Sequence, residues 1–283
     1  MKSDAKYEIT LLEYAIGPCL RNCMVFSGYA KMDGTTVVAY HVGVLRNKNG
    51  KIFLVDTGYN YERPFAKKEA DAQQHIMYRN PVEVLKKEGI NPEDVEGILL
   101  THLHWDHSSC IDMFPNATIY VQKKELLKWV ESLCEPAEFS VIYASVDIED
   151  IKALMTAIGE KRVVLIDGDV EDLLPGIDVK VAEDGHSWAS SLITVNTEDG
   201  KYVFAGDCAY TRENLVGVDG DGIFRPNGYN CGSTVNVLKT MKDIMTLADN
   251  DINHVILSHD AEIWDAFESV KSEEDGLITI KIG

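Results

Sequence analysis

Basic side chains are scarce in this 283-residue chain: 27 Lys and Arg stand against 46 Asp and Glu, a net charge of −19. Gripping a phosphate backbone takes a clustered basic patch. None is found, which argues against a nucleic-acid substrate. No apolar run reaches the roughly 18 residues that a membrane span needs. The opening MKSDAKYEITLLEY lacks an apolar segment followed by a small-residue cleavage site. A cytoplasmic protein with no membrane partner is the expectation. Cysteine is sparse and scattered, at Cys19, Cys23, Cys110, Cys134, Cys208 and Cys231. No pair has CxxC spacing, and Cys19 and Cys23 lie four apart. Free thiols are therefore expected rather than a disulfide frame. Pro- or Ser-rich linkers and low-complexity tracts are missing too, so residues 1–283 are expected to form one domain.

What is present is a mixture of β-rich runs and helices. Strands are expected at 6–15, 36–46, 51–56, 98–102, 117–122, 162–166, 177–182, 191–197, 201–206 and, as the last, 254–259. Asn47-Lys48-Asn49-Gly50 reads as a hairpin turn, and Glu198-Asp199-Gly200 as a second. Helices are expected at 80–89, 123–133, 147–158 and 234–248, the third opening at Asp147. This is not the regular alternation of a doubly wound parallel sheet. Two packed β-sheets with helices outside are expected instead. ILLTH at 98–102 and VILSH at 255–259 echo one another, each ending in histidine.

The strongest chemical signal is THLHWDH at 101–107. Three histidines and an aspartate follow an apolar strand within six residues. Alternate residues of an extended chain point the same way, so His102 and His104 can share one ion. Asp106 and His107 lie past the strand end and can face a neighbouring position. Imidazole and carboxylate donors suit zinc and similar ions. Two such ions roughly 3.5–4 Å apart can share a hydroxide and polarise a substrate oxygen.

With these residues the sequence resembles the metallo-β-lactamase superfamily, over almost the whole chain. LVDTG at 54–58, HLHWDH, GHS at 185–187, FAGDC at 204–208 and SHD at 258–260 occur in the family's order. The resemblance implies an α/β fold, a four-layer αββα sandwich, with the site at one edge. It implies two divalent ions, zinc by preference. His102, His104 and His186 would hold one and Asp106, His107 and His259 the other, with Asp207 bridging and Asp56 supporting a ligand. His41, His75 and His254 match no family position and are expected to be structural or exposed. His75 lies in a segment that could border the site.

Asp207 stands where antibiotic-cleaving relatives commonly carry cysteine. Cys208 beside it is read as a core thiol, because neighbouring strand residues face opposite sides. GDCAYTREN at 206–214 resembles the quorum-quenching lactonases and the pyridoxolactonases, in which a tyrosine, here Tyr210, lies over the metals. DTGYNY at 56–61 resembles the pyridoxolactonase branch as well. The usual PGHxxGH loop reads AEDGHSWASS here, with the second histidine gone and Trp188 in that loop.

The expected function is hydrolysis of a cyclic ester, a lactone. A metal-bridging hydroxide attacks the carbonyl, Tyr210 assists the developing oxyanion, and Asp106 or Asp207 relays the proton. A cyclic amide or thioester is the alternative on the same site, and a metal redox protein a more distant one. The partner is a small molecule, and the chain a monomer or homodimer. Substrate contacts are expected from Trp188, Phe224 and Arg225, and from the segments 59–79, 134–150 and 215–233. Tyr59, Tyr61, Phe65, Met77 and Tyr78 are candidate walls.

Overall fold

The computed structural model describes residues 3–20, 25–28, 34–228 and 231–283, with the backbone alone at Leu20 and Trp264. Cys23 and residues 229–230 of the 215–233 loop lie outside the described residues. The strands in chain order are β1 (Tyr7–Leu20), β2 (Thr35–Asn47), β3 (Ile52–Val55), β4 (Val95–Leu99), β5 (Thr118–Gln122), β6 (Val163–Ile166), β7 (Val170–Leu174), β8 (Ile177–Glu183), β9 (Ala189–Thr197), β10 (Gly200–Phe204), β11 (Val255–Ile256), β12 (Glu268–Lys271) and β13 (Ile278–Ile282). The α-helices are α1 (Pro64–Ala72), α2 (Pro81–Lys87), α3 (Trp105–Ser108), α4 (Lys123–Ser132), α5 (Ile148–Gly159), α6 (Arg212–Val216), α7 (Thr234–Leu247) and α8 (Ile263–Ala266).

Eight strands form one sheet, in the order β12-β13-β1-β2-β3-β4-β5-β6, and five form the other, β11-β10-β9-β8-β7. Alternation along the strands builds the layers. In β1, Ile9 and Leu11 point to the second sheet, where they meet Ile177, Ile193 and Val195. Leu12 and Tyr14 alternate to the other face, onto the layer that holds Leu85, Trp129 and Leu154 of α2, α4 and α5, and the pairing with β2 shifts register between Glu13 and Ala15. The outer face of the five-stranded sheet packs Leu192 and Val203 against Val237, Met241 and Ile244 of α7. The result is the αββα sandwich.

Most local expectations hold to within a few residues. Gly50 donates to Asn47 O at 2.9 Å and closes the β2–β3 hairpin at φ +76°. Asp147 caps α5 by accepting from Glu149 N. β4 lies three residues earlier than expected and ends at Leu99, so His102 lies beyond the ladder, and β11 is shortened to Val255–Ile256. Nor is β11 the last strand, because β12 and β13 follow it. β13 pairs with β1 (Ile9 opposite Ile282) and extends the large sheet. The acidic residues around these strands hid them: every residue of β12 is exposed.

The topology explains where the chemistry gathers. β3 and β4 run parallel, with Val55 opposite Leu99, so Asp56 and the 102–107 segment leave the sheet at the same edge. β10 and β11 run parallel as well, with Phe204 opposite Ile256, and release Asp207 and His259 together. His186 sits in the β8–β9 turn. No helix among the described residues is long and apolar enough to cross a membrane.

Candidate metal centre

His104 is the extended residue in front of α3, and Asp106 and His107 ride on that short helix. Asp207 lies in a tight 3-10 turn, Gly206–Cys208. Gly206 is needed there: its φ is +52°, and a Cβ would come within 2.8 Å of the Thr101 side chain. This close approach carries Asp207 in beside the histidines. Cys208 is a fully buried core thiol, as expected, although a turn rather than strand alternation separates it from Asp207.

The seven expected ligands converge as two groups. His102, His104, His186 and Asp207 form one, and Asp106, His107, His259 and Asp207 the other. Within each group every donor atom lies within 4.8 Å of the rest. Asp207 splits its carboxylate between them. Its Oδ1 is 3.1 Å from both His107 Nε2 and His259 Nε2, while its Oδ2 is 3.5 Å from His186 Nε2 and 3.8 Å from His102 Nε2. Asp106 Oδ2 is 3.5 Å from His107 Nε2 and 3.6 Å from His259 Nε2. His186 Nε2 faces His104 Nδ1 at 3.2 Å.

Hydrogen bonds on the far side of the His102, His107, His186 and His259 rings aim these donors inward. His186 Nδ1 meets Gly228 O at 2.8 Å, and His259 Nδ1 meets Ala39 O at 3.0 Å. His107 Nδ1 meets Asp56 Oδ2 at 2.8 Å. Asp56 also accepts from Thr101 N and Thr101 Oγ1, both at 2.7 Å, and Thr101 Oγ1 lies 3.0 Å from His102 Nδ1. One carboxylate thus orients His107 directly and His102 through a threonine. In the neutral ring each contacted oxygen accepts the Nδ1–H, which leaves Nε2 as the lone-pair donor.

Burial shapes the protonation. It holds His102 and His104 well below the ordinary imidazole range, with neighbouring histidines adding to the effect. Burial acts the same way on His107, but Asp207, Asp106 and Asp56 outweigh it and push that ring up. Burial likewise opposes ionisation of Asp207, yet His259 and His107 hold its carboxyl well below the usual range.

A cation fits these residues. His102 Nε2, His107 Nε2 and Asp207 Oδ1 are buried and have no hydrogen-bond partner among the described residues. Unmatched buried lone pairs are costly, and a divalent ion at the shared centre would satisfy them. The set is all nitrogen and oxygen, as zinc accepts.

A cavity of about 490 Å³ opens onto this cluster, within the usual range for small-molecule sites. Asp106, Asp207, His104 and His259 reach it, and Tyr210 lies in its wall. The Tyr210 ring stands 5.1 Å from the His259 ring and 5.8 Å from that of His186. Burial, with Asp207 and Asp106 nearby, pushes its phenol well up, so it keeps its proton. Its backbone N donates to Asn214 Oδ1 at 3.0 Å.

The structure does not bring Trp188, Phe224 or Arg225 to this cavity. Trp188 packs on Trp129 and donates from Nε1 to Ser132 Oγ at 3.1 Å. Phe224 packs against the α7 layer. Arg225 pairs with Asp221 and donates to Ile223 O, both in its own loop. Tyr59, Tyr61, Phe65, Met77 and Tyr78 pack into the helix-side core, with Tyr59 and Tyr78 stacked at 4.9 Å. The 59–79 segment reaches the cavity instead through Ala72, Gln73 and Gln74, and the 134–150 segment through Ser145. No described residue of the 215–233 loop lines it.

Sequence reasoning missed several residues that shape the site. Tyr40 and Trp105 form walls. Glu125 of α4 is fully buried and accepts four hydrogen bonds: from Leu103 N, Trp129 Nε1, Ser187 Oγ and Ala189 N. It ties the segment carrying His102 and His104 to the turn carrying His186. A signal existed, since an acid on the apolar face of α4 beside Leu126 and Trp129 breaks the amphipathic pattern.

The chain is similar to known proteins in sequence and in fold. The family model described as the metallo-beta-lactamase superfamily matches residues 35–246. The N-acyl homoserine lactonase AttM of Azorhizobium caulinodans is 26% identical over 199 residues, 68% of each chain. The N-acyl homoserine lactonase AiiB of Agrobacterium fabrum is 24% identical over 201 residues, 70% of this chain and 67% of the relative. Among solved structures, a quorum-quenching N-acyl homoserine lactone lactonase superposes with a TM-score of 0.67 at 20% identity, covering 95% of this chain and 97% of its own. AidC, a dizinc quorum-quenching lactonase, gives 0.62 at 16% identity, covering 99% and 98%.

Proposed function

The chain belongs to the metallo-beta-lactamase superfamily, and on that footing we propose that residues 1–283 form a single hydrolase domain that opens a lactone with two divalent metal ions. The observation that carries this reading is the divided Asp207 carboxylate, one oxygen toward His107 and His259 and the other toward His102 and His186. Lactonase activity in AttM and AiiB supports the choice of a cyclic ester. Zinc is the proposed metal, as in AidC. The five described cysteines are free thiols, which supports a reducing, cytoplasmic setting.

When bound, the two ions supply an acidified water as nucleophile and a Lewis acid for the ester carbonyl. His102, His104 and His186 would hold one ion and Asp106, His107 and His259 the other, with Asp207 facing both groups. Tyr210 keeps its phenolic proton and donates to the carbonyl oxygen, a bond that strengthens as negative charge develops there. Asp106 and Asp207 face the cavity and are the carboxylates able to pass a proton to the departing alkoxide. Asp56 and Glu125 hold the ligands in register.

The test is hydrolysis of a panel of lactones, cyclic amides and thioesters by metal-quantified protein. Lactones should be the preferred class, and Tyr210→Phe should lower kcat about 10-fold or more while both metals stay bound. Turnover confined to amides or thioesters would refute the lactone assignment.

A further inference from the structure

One wall of the cavity, where Gln73 and Tyr40 meet, holds an unusual polar arrangement. α1 ends at Ala72, and the chain turns back on itself. Gln73 N donates to Glu69 O, His75 N donates to Ala70 O at 2.9 Å, and Gln74 takes φ +58°. Ile76 then pairs with Ile16 of β1 and pins the return. The backbone around Gln73 is therefore held at both ends.

The side chains complete the arrangement. The His75 ring lies against Tyr40 at 4.3 Å and Trp105 at 5.9 Å. Its Nδ1 is 3.0 Å from the hydroxyl of Tyr59, which is fully buried. Among the described residues that hydroxyl has no other partner, so it donates to Nδ1 rather than waste a buried O–H. Burial holds His75 down at about 4, so the ring is neutral. Its single proton then sits on Nε2, which faces Gln73 Oε1 at 3.4 Å. The Tyr40 hydroxyl approaches the same oxygen at 3.5 Å. Two donors converge on Oε1, which fixes the amide orientation and leaves the Gln73 NH₂ with no partner among the described residues. Gln73 and Tyr40 both line the cavity, and no Lys or Arg does among the described residues.

We propose that Gln73 is a specificity residue whose amide NH₂ reads a neutral oxygen acceptor on the substrate, a carbonyl of the amide or ketone type, beyond the ester that reacts. Tyr59, His75 and Tyr40 act as positioning residues that hold the amide with its donors outward. The inference rests on the lactone reading for the identity of the reacting bond, and not for the acceptor.

The experiment uses metal-loaded protein and two γ-lactones of equal length, one with an amide between ring and alkyl chain and one with methylenes in its place. Wild type should favour the amide-bearing lactone through KM. Gln73→Leu should raise its KM about 3- to 10-fold, the worth of one hydrogen bond, and leave the amide-free lactone unchanged. His75→Phe should produce part of the same loss. Calorimetric titration with the two ring-opened hydroxy acids reads the subsite without turnover. Amide-selective binding that Gln73→Leu abolishes upholds the subsite even if neither lactone is opened, in which case only the lactone reading falls. Equal binding of the two acids by wild type, or an equal loss for both in Gln73→Leu, overturns the proposal.

Discussion

Replacing Glu125 by glutamine tests whether the ligand loops are held by one buried carboxylate. Glu125 receives four donors, three on Oε1 (Leu103 N, Trp129 Nε1, Ser187 Oγ) and one on Oε2 (Ala189 N, 2.7 Å). A group facing only donors works as a carboxylate, although burial pushes its pKa up. In Glu125→Gln the amide oxygen can keep the three bonds at Oε1, and its NH₂ then confronts Ala189 N–H. One charge-assisted bond is lost, about 2 kcal/mol. In a chain of this size that lowers Tm by about 4 °C. Ala189 lies three residues beyond His186 and Leu103 sits between His102 and His104, so metal affinity should fall about 10- to 100-fold. The assays are thermal unfolding of metal-free protein and metal titration with a chromophoric chelator. Glu125→Leu orphans all four donors and is expected to lose at least about 4 kcal/mol. A Glu125→Gln protein that melts within about 1 °C of wild type and binds both metals with wild-type affinity would refute the reasoning.

Asp56→Ala removes the acceptor of His107 Nδ1 and of Thr101; metal affinity should drop about 10- to 100-fold, seen by equilibrium dialysis, with Tyr210→Phe as a control that keeps its metals. Chelation should lower the melting temperature, and restoring metal at about 100 times its dissociation constant should return about 2.7 kcal/mol, read by calorimetry. His75 is held at about 4 in the folded chain and titrates near 6.5 when unfolded. Between those values the unfolded state binds more protons, so stability rises with pH across the window and is lost as pH falls through it. His75→Phe should flatten that part of the urea-unfolding profile relative to wild type, and an unchanged slope would contradict the burial argument.

Where the signal is local, the sequence was readable. Asn47-Gly50 closes a hairpin because Gly50 accepts a positive φ, and Asp147 opens α5 because its side chain caps Glu149 N. The cluster at 102–107 was legible because its donors are close along the chain, and His186, Asp207 and His259 became legible through the family motifs around them. Substrate contacts were not. Trp188, Phe224 and Arg225 looked available because they stand out in polar loops, but each has a partner nearby: Ser132 and Trp129, the α7 layer, and Asp221. Whether a side chain faces a cavity depends on what packs behind it, and the chain order does not carry that.

The sequence by itself determined the chemistry available here: nitrogen and oxygen donors in family order, a tyrosine three residues after Asp207, and an excess of acidic over basic side chains. The mixture of β-rich runs and helices, without the regular rhythm of a doubly wound sheet, also pointed to two packed sheets. Only the tertiary structure decided how those donors are shared. Parallel pairing of β3 with β4 and of β10 with β11 brings four chain segments to one edge. The tight turn at Gly206 then sets Asp207 between the two histidine groups. The supports, Asp56 under His107 and Glu125 between two loops, are long-range hydrogen bonds. So is the wall that Gln73 and Tyr40 present to the cavity. Such contacts join residues tens of positions apart, and their energy exists only after the sheets have packed and excluded water from between them.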